Sequence, residues 1–224
     1  MVYDTNRQRM LEEGVRYPMR GDWIARILIG GILSVFGFLL IPAFIVYGYL
    51  LEVLANTYDG IEDPPEWTDW GTLLIRGLVA WLIALAYSIP LILFSLVMIP
   101  IIGFGAVQDD PGAILAGTGL LYFFGMVVLG LVVAYLLPAG LTSYARTNRV
   151  GAAFDVNTVT SIAFTGEYLV AIVLAFVIVI FVGFLTSILS ITVIGILLVP
   201  FIGFYANMAI AYIVATGVRN AADV

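Results

Sequence analysis

The sequence predicts an all-α fold, a polytopic bundle of transmembrane helices. Three observations carry that prediction. Four runs, residues 27–51, 77–108, 111–145 and 168–218, contain no charged side chain and together exceed half of the 224 residues. Hydrophobic residues make up 62% of the chain and charged residues only 11%. Mean hydropathy is +1.11, well above that of an ordinary soluble domain. In hydrocarbon only a helix or a closed barrel satisfies its own backbone, and uncharged apolar runs of 18 or more residues read as helical spans. Too little polar sequence remains for a second domain, so residues 1–224 form one membrane domain with short tails.

The elements follow in chain order. Residues 1–23 predict a cytoplasmic amphipathic segment. Thr5 and Gln8 have capping-box spacing, Glu12 and Arg16 sit four apart, and Pro18 ends the run. About two dozen polar residues open the chain, with no short apolar core and cleavage site of a signal peptide. Membrane segments follow at about 24–56, 72–105, 113–145, 167–189 and 192–218. Trp23 stands at the entry to the first, and Trp67 and Trp70 precede the second, as interfacial anchors. Between these segments, Asp59, Glu62, Asp63, Glu66 and Asp69 put five acids into eleven residues around Pro64-Pro65. A tight acidic turn, Asp109-Asp110-Pro111, separates the second segment from the third. Asp155 is the expected N-cap of a short interfacial helix carrying Val156, Val159, Ile162 and Ala163. The last uncharged run holds two spans joined near Ser187–Thr192.

Aliphatic residues precede Pro42, Pro100, Pro138 and Pro200, and Pro100-Ile-Ile-Gly-Phe resembles Pro200-Phe-Ile-Gly-Phe. These prolines are expected to mark bends or helix ends at similar depth. Broken helices lining a transporter site are the functional alternative.

The first segment, Ile24–Asn56, measures about 50 Å as one helix, against about 30 Å of hydrocarbon. Gly30-Gly31, Gly37 and Pro42 supply places to bend. Two topologies compete. One crossing places Arg7, Arg9, Arg16, Arg20 and Arg26 on one side and Arg76, Arg146, Arg149 and Arg219 on the other. A re-entrant or hairpin first segment places all nine on the same side, which the positive-inside rule prefers. Molar salt, where the Debye length is about 3 Å, weakens that bias.

Several motifs extend over nearly the whole chain. They are Glu13-Gly-Val-Arg-Tyr-Pro18, Ile41-Pro42 before Tyr47-Gly48-Tyr49-Leu50, and Asp63-Pro-Pro-Glu-Trp-Thr-Asp-Trp-Gly71 with Arg76-Gly77. Leu137-Pro138-Ala139, Gly151-Ala-Ala-Phe-Asp155 and Glu167-Tyr168-Leu169-Val170 continue the series. On these the chain resembles the family catalogued as domain of unknown function 4013, membrane proteins common in halophilic archaea. The resemblance implies a membrane protein and transfers no catalytic or ligand residue. It agrees with a composition of nine Arg, no Lys and fifteen acids, net −6, which independently suggests a protein working in high salt.

What chemistry remains is bounded by absences. Without His or Cys, thiol catalysis, His base mechanisms and His or Cys metal sites are excluded. The expectation is a non-enzymatic protein with no cofactor and no metal. Net negative charge argues against nucleic acid. Membrane lipids are the expected partners, with itself or another membrane protein as further ones. The expected role is a scaffold or accessory protein of the cell membrane, and the alternative is a small transporter or channel. Tyr47, Tyr144 and Tyr205 are the candidate ligand-binding residues, set against ordinary interhelical hydrogen bonding. Glu52 and Arg76, at the two ends of the acidic loop, form the candidate structural ion pair.

Overall fold

The computed structural model describes residues 2–107 and 111–222. The described residues form ten α-helices: α1 (Val2–Arg16), α2 (Trp23–Val35), α3 (Ile41–Tyr58), α4 (Trp70–Tyr87), α5 (Ile89–Gly105), α6 (Pro111–Thr147), α7 (Val150–Ala153), α8 (Val156–Ala163), α9 (Gly166–Leu189) and α10 (Val193–Ala222). Single 3-10 turns lie at Tyr17–Met19 and Gly37–Leu39. Five helices or helix stretches are long and apolar enough to cross a membrane: α3, α4, residues 115–147 of α6, α9 and α10.

Helix α1 starts before Thr5, so that residue lies inside the helix and not at its cap. The Glu12–Arg16 pair forms at 3.0 Å between exposed side chains. The chain then turns through Tyr17–Met19, with Pro18 in its first turn. Asp155 caps α8 as expected, accepting from the Asn157 N–H at 3.1 Å and the Thr158 hydroxyl at 2.7 Å. The Asp109-Asp110 turn lies outside the described residues.

The first apolar segment is not one continuous helix. It breaks at residues 36–40, where Leu40 takes φ 63° and the 3-10 turn at Gly37–Leu39 reverses the chain. Helix α2, with 13 residues, rises about 20 Å, short of the hydrocarbon thickness. Both ends of the hairpin return to one face: the Trp67 indole donates to the Arg26 carbonyl, and the Tyr49 hydroxyl donates to Pro65. The tip, Phe36–Ile41, is wholly apolar, and Phe38 is 76% exposed. Pro42, at the second position of α3, removes one of the N–H groups a helix start would leave unsatisfied in such a setting.

The second segment also divides, at Ser88. Its hydroxyl donates to the Ala84 carbonyl, and Pro90 sits in the first turn of α5. The other three prolines do not end helices. Pro100, Pro138 and Pro200 lie inside α5, α6 and α10, which continue through them. Of the four, only Pro42 stands at a helix end.

Close backbone approach builds the bundle. Gly48 of α3 and Gly77 of α4 bring those two helices together. A Cβ at Gly77 would fall 1.7 Å from the Phe44 carbonyl oxygen, and one at Gly48 would fall 1.9 Å from that of Leu73. Gly30 and Gly31 of α2 lie under the rings of Phe204 and Phe201 of α10, and Gly217 of α10 faces Ala171 of α9. The C-terminal half of α10 is the hub, with Met208, Ala209 and every residue from Ala211 to Val218 buried. Toward the other end α5 packs on α6, with Phe94 over Gly125 and stacked on Tyr122, while α5, α6, α9 and the start of α10 expose long apolar faces.

Replacing Gly77 or Gly48 by Ala is expected to destabilise the α3–α4 pair by about 1–3 kcal/mol or more, since backbone cannot yield as a side chain does. Gly183→Ala, where nothing lies within 4 Å of the added carbon, serves as the silent control. Denaturation in detergent micelles reads the difference.

Candidate functional site

Two features stand out: an end of the bundle crowded with Arg and Tyr, and an apolar cleft on its flank. At the crowded end, side chains of one element reach the last-turn carbonyls of another. Four such carbonyls of each helix lack an internal donor. Arg76 of α4 donates to Ala145 near the end of α6 at 2.9 Å. Arg219 donates to Thr57 near the end of α3 at 3.2 Å. Tyr87 donates to Ala153, the last residue of α7, and Tyr135 to Ala163, the last of α8. Tyr205 donates to Val15 near the end of α1. Arg146 stacks over the Tyr58 ring, 3.5 Å from its centroid. Arg20 reaches the Glu62 carbonyl and Arg26 reaches that of Arg20. Arg9, Arg16, Arg20, Arg26, Arg76, Arg146, Arg149 and Arg219 thus gather at one end, while the side chain of Arg7 lies outside the described residues.

The acidic loop keeps all five carboxyl residues exposed and buries Pro64 and Pro65. Though the loop has no basic neighbour in sequence, the fold brings Arg20 and Arg219 against its backbone. The side chains of Tyr17 and Thr57 are buried beside one another, each hydroxyl outside hydrogen-bond geometry. Burial pushes the Tyr17 hydroxyl up to about 12, against the opposing effects of Thr57, Arg26 and Arg20.

The candidate residues from the sequence fall in different places. Tyr47 is 48% exposed on the outside of α3, Tyr144 is 4% exposed in the core, and Tyr205 is engaged with α1. They do not share a pocket. Glu52 and Arg76 feel one another electrostatically but do not come within 4 Å, because the Arg76 guanidinium is directed to Ala145. The Arg76 Nε is buried without a partner. Trp23 and Trp70 are exposed at the Arg-bearing end. Trp67 instead is half-buried and stacks on Tyr49 with centroids 4.1 Å apart, with Trp70 and Phe204 also in contact. No sequence signal distinguished that packed Trp from an anchor.

The cleft lies between α6, α9 and α10 and is closed at one end by α8. Its volume is about 770 Å³, and fifteen of its sixteen lining residues carry only hydrocarbon side chains. The exception is Tyr135, whose hydroxyl is already committed to Ala163. Nothing in the sequence pointed to it. Among the described residues no group of three metal-ligating side chains comes together.

Fold and surface define an all-α integral membrane protein of the helical-bundle class. Residues 35–191, more than two thirds of the chain, match the family described as protein of unknown function DUF4013, and the chain belongs to that family. No curated protein and no solved structure matches it.

Arg76→Ala is expected to cost about 1.5–3 kcal/mol, since the Ala145 carbonyl loses a charged donor. Glu52→Gln should stay within about 0.5 kcal/mol. A Glu52→Arg, Arg76→Glu exchange should not restore stability, as it would for a true ion pair; a double-mutant cycle in micelles measures this.

Tyr17 gives a pH dependence. The unfolded hydroxyl ionises near its ordinary value of 10 while the folded one holds its proton to about 12. Ionisation therefore favours the unfolded state as pH rises between the two. Stability is full below pH 10 and declines up to about 12, and Tyr17→Phe should flatten this decline in an alkaline melting series.

Proposed function

We propose that this protein is a non-enzymatic component of the cell membrane, a scaffold or accessory protein acting through helix and lipid contacts. The observation that carries this reading is the division of the bundle into a packed, Arg-rich end and a half that presents exposed apolar helix faces. Exposed surface of that kind is what lipid and other spans contact. A transport path would offer ionisable or hydrogen-bonding groups along its length. The cleft offers only Tyr135, already engaged. That favours the scaffold over the small transporter.

Orientation follows from charge. Arginines gathered at one end support placing that end, with both termini, in the cytoplasm. A surface with fifteen acids, nine Arg and no Lys supports a halophilic, archaeal setting. Itself or another membrane protein, besides lipid, is the expected partner.

The test is affinity purification from native membranes in high salt, alongside solute flux in reconstituted vesicles. The scaffold reading expects a co-purifying membrane protein and no flux; flux that depends on the protein overturns it. For orientation, a Cys at Ser190 should label from outside intact cells and one at Asp63 should not. The reverse pattern overturns the assignment.

A further inference from the structure

We propose that a chloride ion binds inside the Arg-bearing end, held by the Arg26 guanidinium and the hydroxyls of Tyr17 and Thr57. This goes beyond the scaffold reading and does not rest on it. The three side chains come from the 3-10 turn at Tyr17–Met19, from α2 and from the end of α3. All are more than nine-tenths buried: Tyr17 is 0% exposed, Thr57 2% and Arg26 7%. Neither hydroxyl has a hydrogen-bond partner. Thr57 differs in this from Thr142, Thr147, Thr186 and Thr216, which each return the hydroxyl to the carbonyl four residues back. A buried hydroxyl without a partner is costly, and a buried charge calls for a counter-charge. Arg26 has none: among the described residues no carboxylate lies within 4 Å of it. Its guanidinium donates instead to the neutral carbonyl of Arg20 at 2.7 Å.

The surrounding charge has one sign. Of the charges, Arg26 bears most strongly on the Tyr17 hydroxyl, followed by Arg20. Arg20 also stands over the rings of Tyr17 and Tyr212, at 5.7 and 5.8 Å, and Arg219 holds the Thr57 carbonyl. The acids are engaged elsewhere: Glu13 accepts from the Tyr212 hydroxyl, and Asp22 and the five acids of the loop are exposed. Donors and charge together select the occupant. A guanidinium can only donate, and both hydroxyls are free to do so. The arginines repel a cation. Water would pair the hydroxyls and leave Arg26 without a counter-charge. Sulfate would bring two charges and four oxygens to a single buried guanidinium. Chloride carries one charge and accepts from every side.

The test is thermal unfolding of the full chain in detergent as chloride replaces gluconate at constant ionic strength. An ion bound only by the folded state raises the melting temperature in proportion to the occupancy of its site. Wild type should show this rise in chloride and in bromide. Thr57→Val, which keeps the shape of the side chain, and Tyr17→Phe should each weaken the apparent affinity about ten-fold, equivalent to about 1.4 kcal/mol. Arg149→Gln, at an exposed arginine of the same end, should respond as wild type does. Circular dichroism at high chloride checks that the variants keep wild-type helix content. Crystals soaked in bromide should give an anomalous peak between Arg26 and the two hydroxyls. Equal stabilisation by gluconate and chloride would overturn the proposal. So would an undiminished chloride response in both hydroxyl variants, or water alone at that position in the bromide crystals.

Discussion

The architecture depends on how closely helix backbones approach one another without the help of water. Between membrane spans there is no hydrophobic gain from association, because lipid tails are as apolar as side chains. What remains is close van der Waals contact, and this bundle obtains it with glycine and alanine. On α10 the small residues Ala206, Ala209, Ala211, Ala215 and Gly217 are buried among larger ones such as Phe204, Met208 and Ile213, and α1, α2, α3 and α9 rest against this helix. The α3–α4 pair repeats the device with Gly48 and Gly77. Where such residues have no neighbour, as at Gly103 and Gly183, the helices have parted.

Onto that framework the arginines add electrostatics of a specific kind. Helices α3, α6 and α10 all end at the same face, so the negative ends of three helix dipoles point one way. Arg219 meets the end of α3, Arg76 the end of α6, and Arg146 lies in the last turn of α6 itself. A cation is favourable at that position. The asymmetry of the arginines thus has a structural cause inside the bundle, separate from any effect of the membrane potential on insertion. The tyrosines do related work: three of their hydroxyls end at carbonyls that α1, α7 and α8 leave open.

Much of this was legible in the sequence and some was not, for a physical reason. Uncharged length announces a span because charge is costly in hydrocarbon, so the membrane segments and the excess length of Ile24–Asn56 could be read directly. The faces of the spans could not. In water, polar residues mark the outside of a helix; in lipid, both sides are apolar, and the pattern that distinguishes them disappears. Hence the centrality of α10 and the cleft beside α9 were invisible. The pairing of Glu52 with Arg76 was a sensible inference from charge, and the carbonyl of Ala145 proved the nearer acceptor. Pro90, two residues after Ser88, carried a signal of its own, since a proline has no N–H to continue the helix before it and suits the first turn of the next. The three prolines inside α5, α6 and α10 look alike in sequence, yet the helix continues through them.

The contacts between α1 and α10 join residues 190 to 199 positions apart, Val15 with Tyr205 and Glu13 with Tyr212. Helix α1 is therefore docked on a helix synthesised about 190 residues after it. Chains are synthesised at about 5–20 residues per second, so α1 waits on the order of ten seconds or more before its docking surface exists. During that interval the α2–α3 hairpin, α4–α6 and α9 enter the membrane without the element around which they will close. Assembly of this bundle is thus a late event: the pieces accumulate in the order of translation, and their shared core forms only when the C-terminal half of α10 arrives to join them.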